Sequence, residues 1–281
     1  MDPKLAQLDS ELLERLAAQF GTPLYVTNMD LVLERMEHLR EFDTIRYAQK
    51  AYSNLSFLRA LRTTGCALDV VSAGEIERGL RSGFLPDHMV YTSDLFDEES
   101  AARIGEHDIH VCAGSRFMLD QLAELPGRAN RQVTLRINPG FGDGHDFKVI
   151  TGGTRSKHGI WHEELEETID QARSLGLEVT GLHAHIGSGA GNDGFDRLRE
   201  ALPDLARRVG PPLRTLSVGG GLPVPYRDEE PEFDAPAHGR AWRRATESLR
   251  KTLGDSLQLE VEPGRYLTAP AAVLLARVHG V

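Results

Sequence analysis

The sequence is short of cysteine, of long apolar stretches and of clustered basic residues, and each shortage excludes something. Only two cysteines, Cys66 and Cys112, occur in 281 residues, with no metal or redox spacing; a reducing compartment follows. Basic residues never run longer than a pair such as Arg207-Arg208 or Arg243-Arg244, and 42 acidic against 32 basic residues leave a net charge of −10. Nucleic acid and anionic membrane are therefore excluded as expected partners. The longest apolar run, near 269–276, is too short to cross a bilayer. Asp2, Glu11 and Glu14 interrupt the N-terminus, so it does not read as a signal peptide. The expectation is a soluble cytoplasmic protein with no metal, no nucleic acid and no membrane partner.

What is present is a chain with 40% apolar residues, enough for a large core, and a length that suits one (β/α)8 barrel of about 250 residues. An amphipathic helix is expected over 10–19, ended by Gly21-Thr22-Pro23, then a strand at Leu24-Tyr25-Val26 and a helix over 29–40. From Thr44 onward strand and helix patterns alternate. Strands are expected over 44–48, 67–72, 88–93, 109–114, 132–138, 179–186, 215–219 and 257–262, with a helix pattern after each but the last. Eight such units are the pattern of an α/β TIM barrel. No Gly-x-Gly-x-x-Gly follows a first strand, so a dinucleotide-binding open sheet has no support.

In such a barrel chemistry collects at the C-terminal ends of the strands. Those ends carry Lys50; Ser72 with Glu75; Asn138-Pro139-Gly140; His183 and His185 with Gly187-Ser188-Gly189; Gly219-Gly220-Gly221; and Glu262-Pro263-Gly264-Arg265. A lysine alone is ordinarily a solvated side chain, and a glycine cluster alone is ordinarily a turn. Together at one mouth they suggest pyridoxal phosphate. Lys50 would take the aldehyde, the glycine nests and Ser188 the phosphate, and Glu262 the pyridine nitrogen, while His185 covers the ring and Arg265 meets phosphate or substrate carboxylate.

The segments Phe20-Gly21-Thr22-Pro23-Leu24-Tyr25-Val26, Tyr47-Ala48-Gln49-Lys50-Ala51, Asp69-Val70-Val71-Ser72-x-Gly74-Glu75, Arg136-x-Asn138-Pro139-Gly140, Ser156-Lys157-His158-Gly159, His183-x-His185-Ile186-Gly187-Ser188, Gly219-Gly220-Gly221 and Glu262-Pro263-Gly264-Arg265 occur in this order. By them the chain resembles the pyridoxal-phosphate-dependent decarboxylases of the alanine-racemase-like barrel fold, and within these the diaminopimelate decarboxylase branch. The resemblance implies Lys50 as the catalytic, cofactor-bearing lysine. It also implies Asp69, Arg136, His185, Ser188, Gly219, Gly220, Gly221, Glu262, Gly264 and Arg265 as cofactor-binding residues, with Arg265 reaching the substrate as well. His158 stands where many relatives carry phenylalanine and reads as a mark of one bacterial branch.

The implied activity is decarboxylation of meso-2,6-diaminopimelate to L-lysine and CO2, by a homodimer acting on a small amino acid. The alternatives are a non-catalytic barrel that binds pyridoxal phosphate, or a decarboxylase of ornithine or arginine, the specificity segment near Asp228 to His238 being hard to read. The implied organisation is a barrel over 28–264, with 1–27 and 265–281 as parts of a β-rich second domain. The family continues beyond the point matching Val281 by about one ordinary domain, which in it supplies a proton-donating cysteine and a tyrosine near the phosphate. Neither Cys66 nor Cys112 matches that cysteine. The resemblance implies that the segment from Tyr266 is the first strand of that further domain, paired with the region around Leu24 to Val26. Left without the rest of that domain, its edge and the apolar Ala271, Val273 and Leu275 are expected to be exposed, and turnover by these 281 residues to be slow or absent.

Overall fold

The computed structural model describes residues 8–125, 131–146, 148, 150–227 and 229–280. Asp2 and Asp228, named above, and the outermost ends of 1–27 and 265–281 lie outside the described residues. In chain order the first half comprises α1 (Ser10–Phe20), β1 (Leu24–Thr27), α2 (Met29–Glu37), β2 (Thr44–Ala48), α3 (Leu55–Arg62), β3 (Ala67–Val70), α4 (Ala73–Arg81), β4 (Met89–Ser93), α5 (Glu98–His107), β5 (His110–Ala113) and α6 (Arg116–Glu124). The second half comprises β6 (Gln132–Asn138), β7 (Ile160–Trp161), α7 (Leu165–Ser174), β8 (Glu178–His183), α8 (Asn192–Val209), β9 (Thr215–Ser217), α9 (Ala235–Leu253), β10 (Gln258–Val261), α10 (Arg265–Thr268) and β11 (Ala272–Leu275).

Strand β3 is buried along its whole length, and β8 and β10 along all but their first residue, as strands covered on both faces must be. All pairings among the eight central strands are parallel, in the order β5-β4-β3-β2-β10-β9-β8-β6. The pairing of β5 with β6, Val111 opposite Val133, closes the sheet on itself. The expected (β/α)8 barrel is therefore the observed fold, with short β7 added beside β6.

The helices pack outside through one apolar stripe each. In α3 the Asn54 side chain accepts the amides of Ser56 at 2.9 Å and Phe57 at 3.3 Å, which starts the helix. Phe57, Leu58 and Leu61 then face the barrel and are buried, each worth about 1.5–3 kcal/mol. Ser72 plays the same capping part for α4, accepting from Glu75 N at 3.3 Å, while the Glu75 carboxylate accepts from Val71 N at 2.9 Å. These two residues secure a helix start rather than line the mouth.

Strands β8, β9 and β10 end at His183, Ser217 and Val261, earlier than the sequence pattern predicts. Beyond these points glycines with positive φ, such as Gly219 at 68° and Gly221 at 82°, turn the chain out of the sheet. Asn138 ties down the long loop after β6, its side chain bonding Gly153 O at 3.0 Å and accepting from Gly140 N at 3.1 Å.

Beside the barrel, β1 and β11 form a separate antiparallel ribbon, Leu24 opposite Leu275. This corrects the expected exposure of its apolar residues. Ala271 is fully buried and Val273 and Leu275 are half-buried, whereas Leu274 and Val278 are exposed. The implied pairing with Leu24 to Val26 is observed, so β1 takes the hydrogen bonds of β11, and the pleat turns Leu274 away from the face that carries Val273 and Leu275. Among the described residues no helix is long and apolar enough to cross a membrane.

Candidate active site

One cavity of about 610 Å3 opens at the C-terminal end of the barrel, within the size range of small-molecule sites. Every site residue expected from the sequence lines it except Gly219. Gly219 lies just beneath, its amide donating to Ser217 Oγ at 3.3 Å. Also lining the cavity, and not expected as site residues, are Thr92 at the end of β4, Tyr25 and Thr27 of β1, Tyr52, His183 and Tyr266.

Lys50 stands on the single turn that follows β2, where the Asn54 cap redirects the chain into α3. Its Nζ is 3.9 Å from Asp69 Oδ2. Asp69 is a buried β3 residue whose Oδ1 has no hydrogen-bond partner among the described residues, and neither has the buried Thr92 Oγ1. Burial raises the Asp69 carboxyl pKa, the charge of Glu262 raises it further, and Lys50 opposes both.

Glu262 follows β10 directly and accepts two hydrogen bonds from neighbouring strands, His183 Nε2 at 3.0 Å and Ser217 Oγ at 2.7 Å. Burial would raise its pKa, but His183 with its hydrogen bond, the Ser217 hydroxyl and His185 outweigh it and hold Glu262 well below the usual carboxylate range. It is an ionised acceptor in a dry wall. The opposite holds for His185, whose pKa burial pushes well below the ordinary histidine value, with Arg136 and Lys50 acting the same way. The His185 Nδ1 accepts the Gly220 amide at 3.2 Å, which fixes the orientation of a neutral ring.

The glycines bring backbone together where no side chain fits. A Cβ at Gly220 would overlap the Glu262 carbonyl oxygen, and one at Gly221 the carbonyl oxygen of Gly187. Gly221 O in turn accepts from Gly189 N at 2.8 Å, joining the loops after β8 and β9. Arg265, after β10, donates to Tyr226 Oη at 3.1 Å, so the loop after β9 positions its guanidinium. His158 bonds Asp94 Oδ2 through Nδ1 at 2.7 Å, away from the cavity lining. The thiols lie outside the cavity lining, and burial pushes the Cys66 pKa up to about 11.

These residues suit pyridoxal phosphate on several counts. A lysine amine is within reach of a buried carboxylate, an ionised carboxylate faces the cavity from its wall, and a neutral imidazole offers a flat face. The loops after β8 and β9 meet so closely at Gly220 and Gly221 that no side chain fits there, and Ser188, Gly264 and Arg265 line the cavity beside them, a set that suits a phosphate. The fold and this lining define a (β/α)8 barrel of the class that holds pyridoxal phosphate at its C-terminal mouth.

Comparison with known proteins places the chain more closely. The family model for the pyridoxal-dependent decarboxylase, pyridoxal binding domain, matches residues 30–269, and the chain belongs to that family. It is 44% identical over 277 residues to diaminopimelate decarboxylase of Streptomyces coelicolor, covering 97% of this chain and 62% of that protein. It is 41% identical to the Escherichia coli K12 protein of the same name, covering 98% of this chain and 66% of that one. A crystal structure of diaminopimelate decarboxylase superposes with a TM-score of 0.89 at 41% identity, covering 96% of this chain and 64% of that chain. The chain thus spans less than two thirds of the length of these relatives.

Proposed function

We propose that the chain carries the cofactor site of a diaminopimelate decarboxylase, in which Lys50 binds pyridoxal phosphate and meso-2,6-diaminopimelate loses CO2 to give L-lysine. The observation that carries this reading is the convergence of Lys50, His185, Gly220, Gly221, Glu262 and Arg265 on one cavity. The relatives named above supply the substrate.

Bound at this mouth, pyridoxal phosphate supplies an electron sink for the pair left on the substrate carbon when the carboxylate departs as CO2. The chain's own residues prepare for this. Covalent attachment requires Lys50 Nζ to give up a proton, and Asp69, whose pKa is raised by burial, is the acceptor beside it. Glu262 stays ionised and favours a protonated pyridine nitrogen opposite it, strengthening the sink. The neutral ring of His185 would cover one face of the cofactor without adding a charge that would compete. Ser188, Gly220, Gly221, Gly264 and Arg265 would hold the phosphate, Asp69 and Arg136 would stand beside the cofactor, and Gly219, bonded to Ser217, would support the adjoining loop. Arg265, already oriented by Tyr226, also receives the substrate carboxylate.

The β1–β11 pairing supports reading 1–27 and 265–281 as segments of a β-rich unit beside a barrel of 28–264. The family resemblance supports a cytoplasmic homodimer, which sedimentation at micromolar protein checks. The function is tested by adding pyridoxal phosphate, reducing with borohydride and mapping the labelled peptide. Label on Lys50 that meso-diaminopimelate, added before the borohydride, prevents more effectively than lysine or ornithine supports the whole reading, with CO2 release expected to be slow or absent from these 281 residues. Label on a different lysine overturns the site, and more effective prevention by ornithine overturns the substrate.

A further inference from the structure

Beside the mouth cavity lies a second, small void of about 40 Å3 within the barrel strands, lined by Arg46, Cys112, Thr134, His183, Glu260 and Glu262 among others. His183 and Glu262 line both this void and the mouth cavity. They form the partition between them. Arg46, at the centre of β2, is buried and held to Glu260 by two hydrogen bonds, Nη2 to Oε1 at 2.7 Å and Nε to Oε2 at 3.2 Å. Its third nitrogen, Nη1, is buried with no hydrogen-bond partner among the described residues, and the same is true of His183 Nδ1. Two unpartnered polar atoms thus belong to side chains that border one polar void, and a buried polar atom left unsatisfied is destabilising.

The donor and acceptor count indicates what joins them. His183 Nε2 donates to Glu262 Oε2, so in the neutral ring Nδ1 carries a lone pair and needs a donor. Arg46 Nη1 can only donate. A water accepting from Arg46 Nη1 and donating to His183 Nδ1 satisfies both, and the void exceeds the roughly 10–15 Å3 that one water requires.

We infer that His183 is a positioning residue that fixes the Glu262 carboxylate from beneath, and that a buried water in the void ties His183 in turn to Arg46 and Glu260. With the Ser217 hydroxyl on the other oxygen, both carboxylate oxygens are held by residues of adjacent strands. The carboxylate is then aimed by the barrel interior before any ligand arrives, which is the preorganisation an acceptor at a reacting centre needs. The groups facing it agree: the hydrogen bonds from His183 and Ser217 favour the ionised form and the buried Asp69 opposes it, yet the ionised form wins. What the fixed carboxylate serves rests on the pyridoxal reading above; that it is fixed does not.

The test therefore begins on the apo protein. Carbon-13 labelling of glutamate carboxyls, with the Glu262 signal assigned through Glu262→Gln, follows its ionisation directly. In the wild type the signal stays that of a carboxylate throughout the acid range in which the protein remains folded. His183→Leu removes the donor and keeps the burial, so the apparent pKa of Glu262 is expected to rise by about two units or more. His183→Gln, which can place an N–H near the Nε2 position, is expected to recover most of that shift, and His183→Asn, too short to reach, is not. If His183→Leu does not fold, the Gln and Asn variants make the same comparison.

An unchanged titration in the Leu or Asn variant, or equal shifts in Gln and Asn, overturns the inference. A high-resolution crystal structure should show a water within about 3 Å of both Arg46 Nη1 and His183 Nδ1; a dry void overturns the link to Arg46. Failure of pyridoxal phosphate to label Lys50 in the wild type would sink the proposed function while leaving the titration result intact. With both standing, His183→Leu should bind the cofactor at least tenfold more weakly than His183→Gln.

Discussion

Lys50 and Asp69 meet across the rim of the barrel mouth, Nζ to Oδ2 at 3.9 Å, with the lysine side chain 61% exposed and the aspartate side chain 2% exposed. The register that sets Ala48 opposite Asp69 puts the carboxylate one strand over from the turn bearing the lysine. A pair so open on one side contributes little to stability. The buried partner bears a cost instead, because burial and the neighbouring Glu262 charge both raise its pKa. A carboxylate kept in place against its own desolvation is what an acid–base site contains.

Asp69→Asn is therefore expected to separate stability from chemistry. A carboxyl whose folded-state pKa is raised contributes stability that is present below the unfolded value of about 3.9 and is lost as pH rises. Removing the charge should leave the apo protein about 1 kcal/mol more stable to urea at neutral pH, with the gain shrinking toward pH 4. Covalent capture of pyridoxal phosphate on Lys50 should slow at least tenfold, as loss of a positioned base does. A variant less stable at pH 7 but equally fast in capture would reverse both assignments.

At Gly221 two constraints coincide. Its φ of 82° lies where a side chain strains the backbone, and a Cβ would overlap Gly187 O across the loops after β8 and β9. The conformational strain alone costs about 1–3 kcal/mol. Gly221→Ala is expected to lower the thermal midpoint and to weaken pyridoxal phosphate binding at least tenfold, because the loops after β8 and β9 must part. Equilibrium dialysis of the variant gives the second quantity. Binding as tight as wild type would remove these loops from the phosphate site.

How far the site was legible depended on what each residue signals locally. Lys50, His185 and Glu262 stand at the ends of patterned strands, where type and position both speak, and the alternation of elements fixed which ends would meet. Thr92 gave no such signal, since a threonine in Tyr91-Thr92-Ser93 is equally a strand former. Tyr25 and Thr27 reach the cavity because β1 is paired with β11, a contact between the two ends of the chain that no local pattern encodes. The glycine runs revealed close backbone approach but not direction: the amides of Gly219 and Gly220 are directed to Ser217 and His185. His183 stands among the strand-end residues in the sequence but carries no signal of its role, and its hold on Glu262 emerges only from the register of β8, β9 and β10.

The Arg46–Glu260 pair in the barrel floor offers a test of sign. Each side chain is about one-tenth exposed, so breaking the pair strands a charge in a poorly solvated place. Arg46→Met alone is expected to cost about 3–5 kcal/mol in chemical denaturation, whereas replacing both residues by apolar ones of similar volume should cost much less or nothing. If the double variant is as unstable as the sum of the singles, the pair is a net stabiliser and the expectation is wrong.

The last prediction concerns a histidine far from the mouth. His238, in α9, is 6% exposed and packs against Phe195, edge-on at 4.5 Å between ring centres, and against Phe233 at 5.3 Å. Its Nε2 accepts the indole N–H of Trp242 at 3.1 Å, which requires an unprotonated nitrogen. Burial first and the Arg199 guanidinium second push its pKa down to about 3, with Asp196 a weaker opposing charge. For a base depressed in the folded state, stability is complete above the unfolded value of about 6.5 and is lost as pH falls toward the folded one, because the unfolded chain takes up the proton first. Across that window the loss attributable to this one ring is about 3–5 kcal/mol. His238→Gln, which can still accept from Trp242, should be somewhat less stable at pH 7 through lost packing, yet markedly flatter between pH 6.5 and 3. Urea unfolding of both proteins at pH 7, 5.5 and 4 measures the difference. Parallel pH profiles would show that His238 is protonated in the native core, and that the Trp242 hydrogen bond does not hold as drawn.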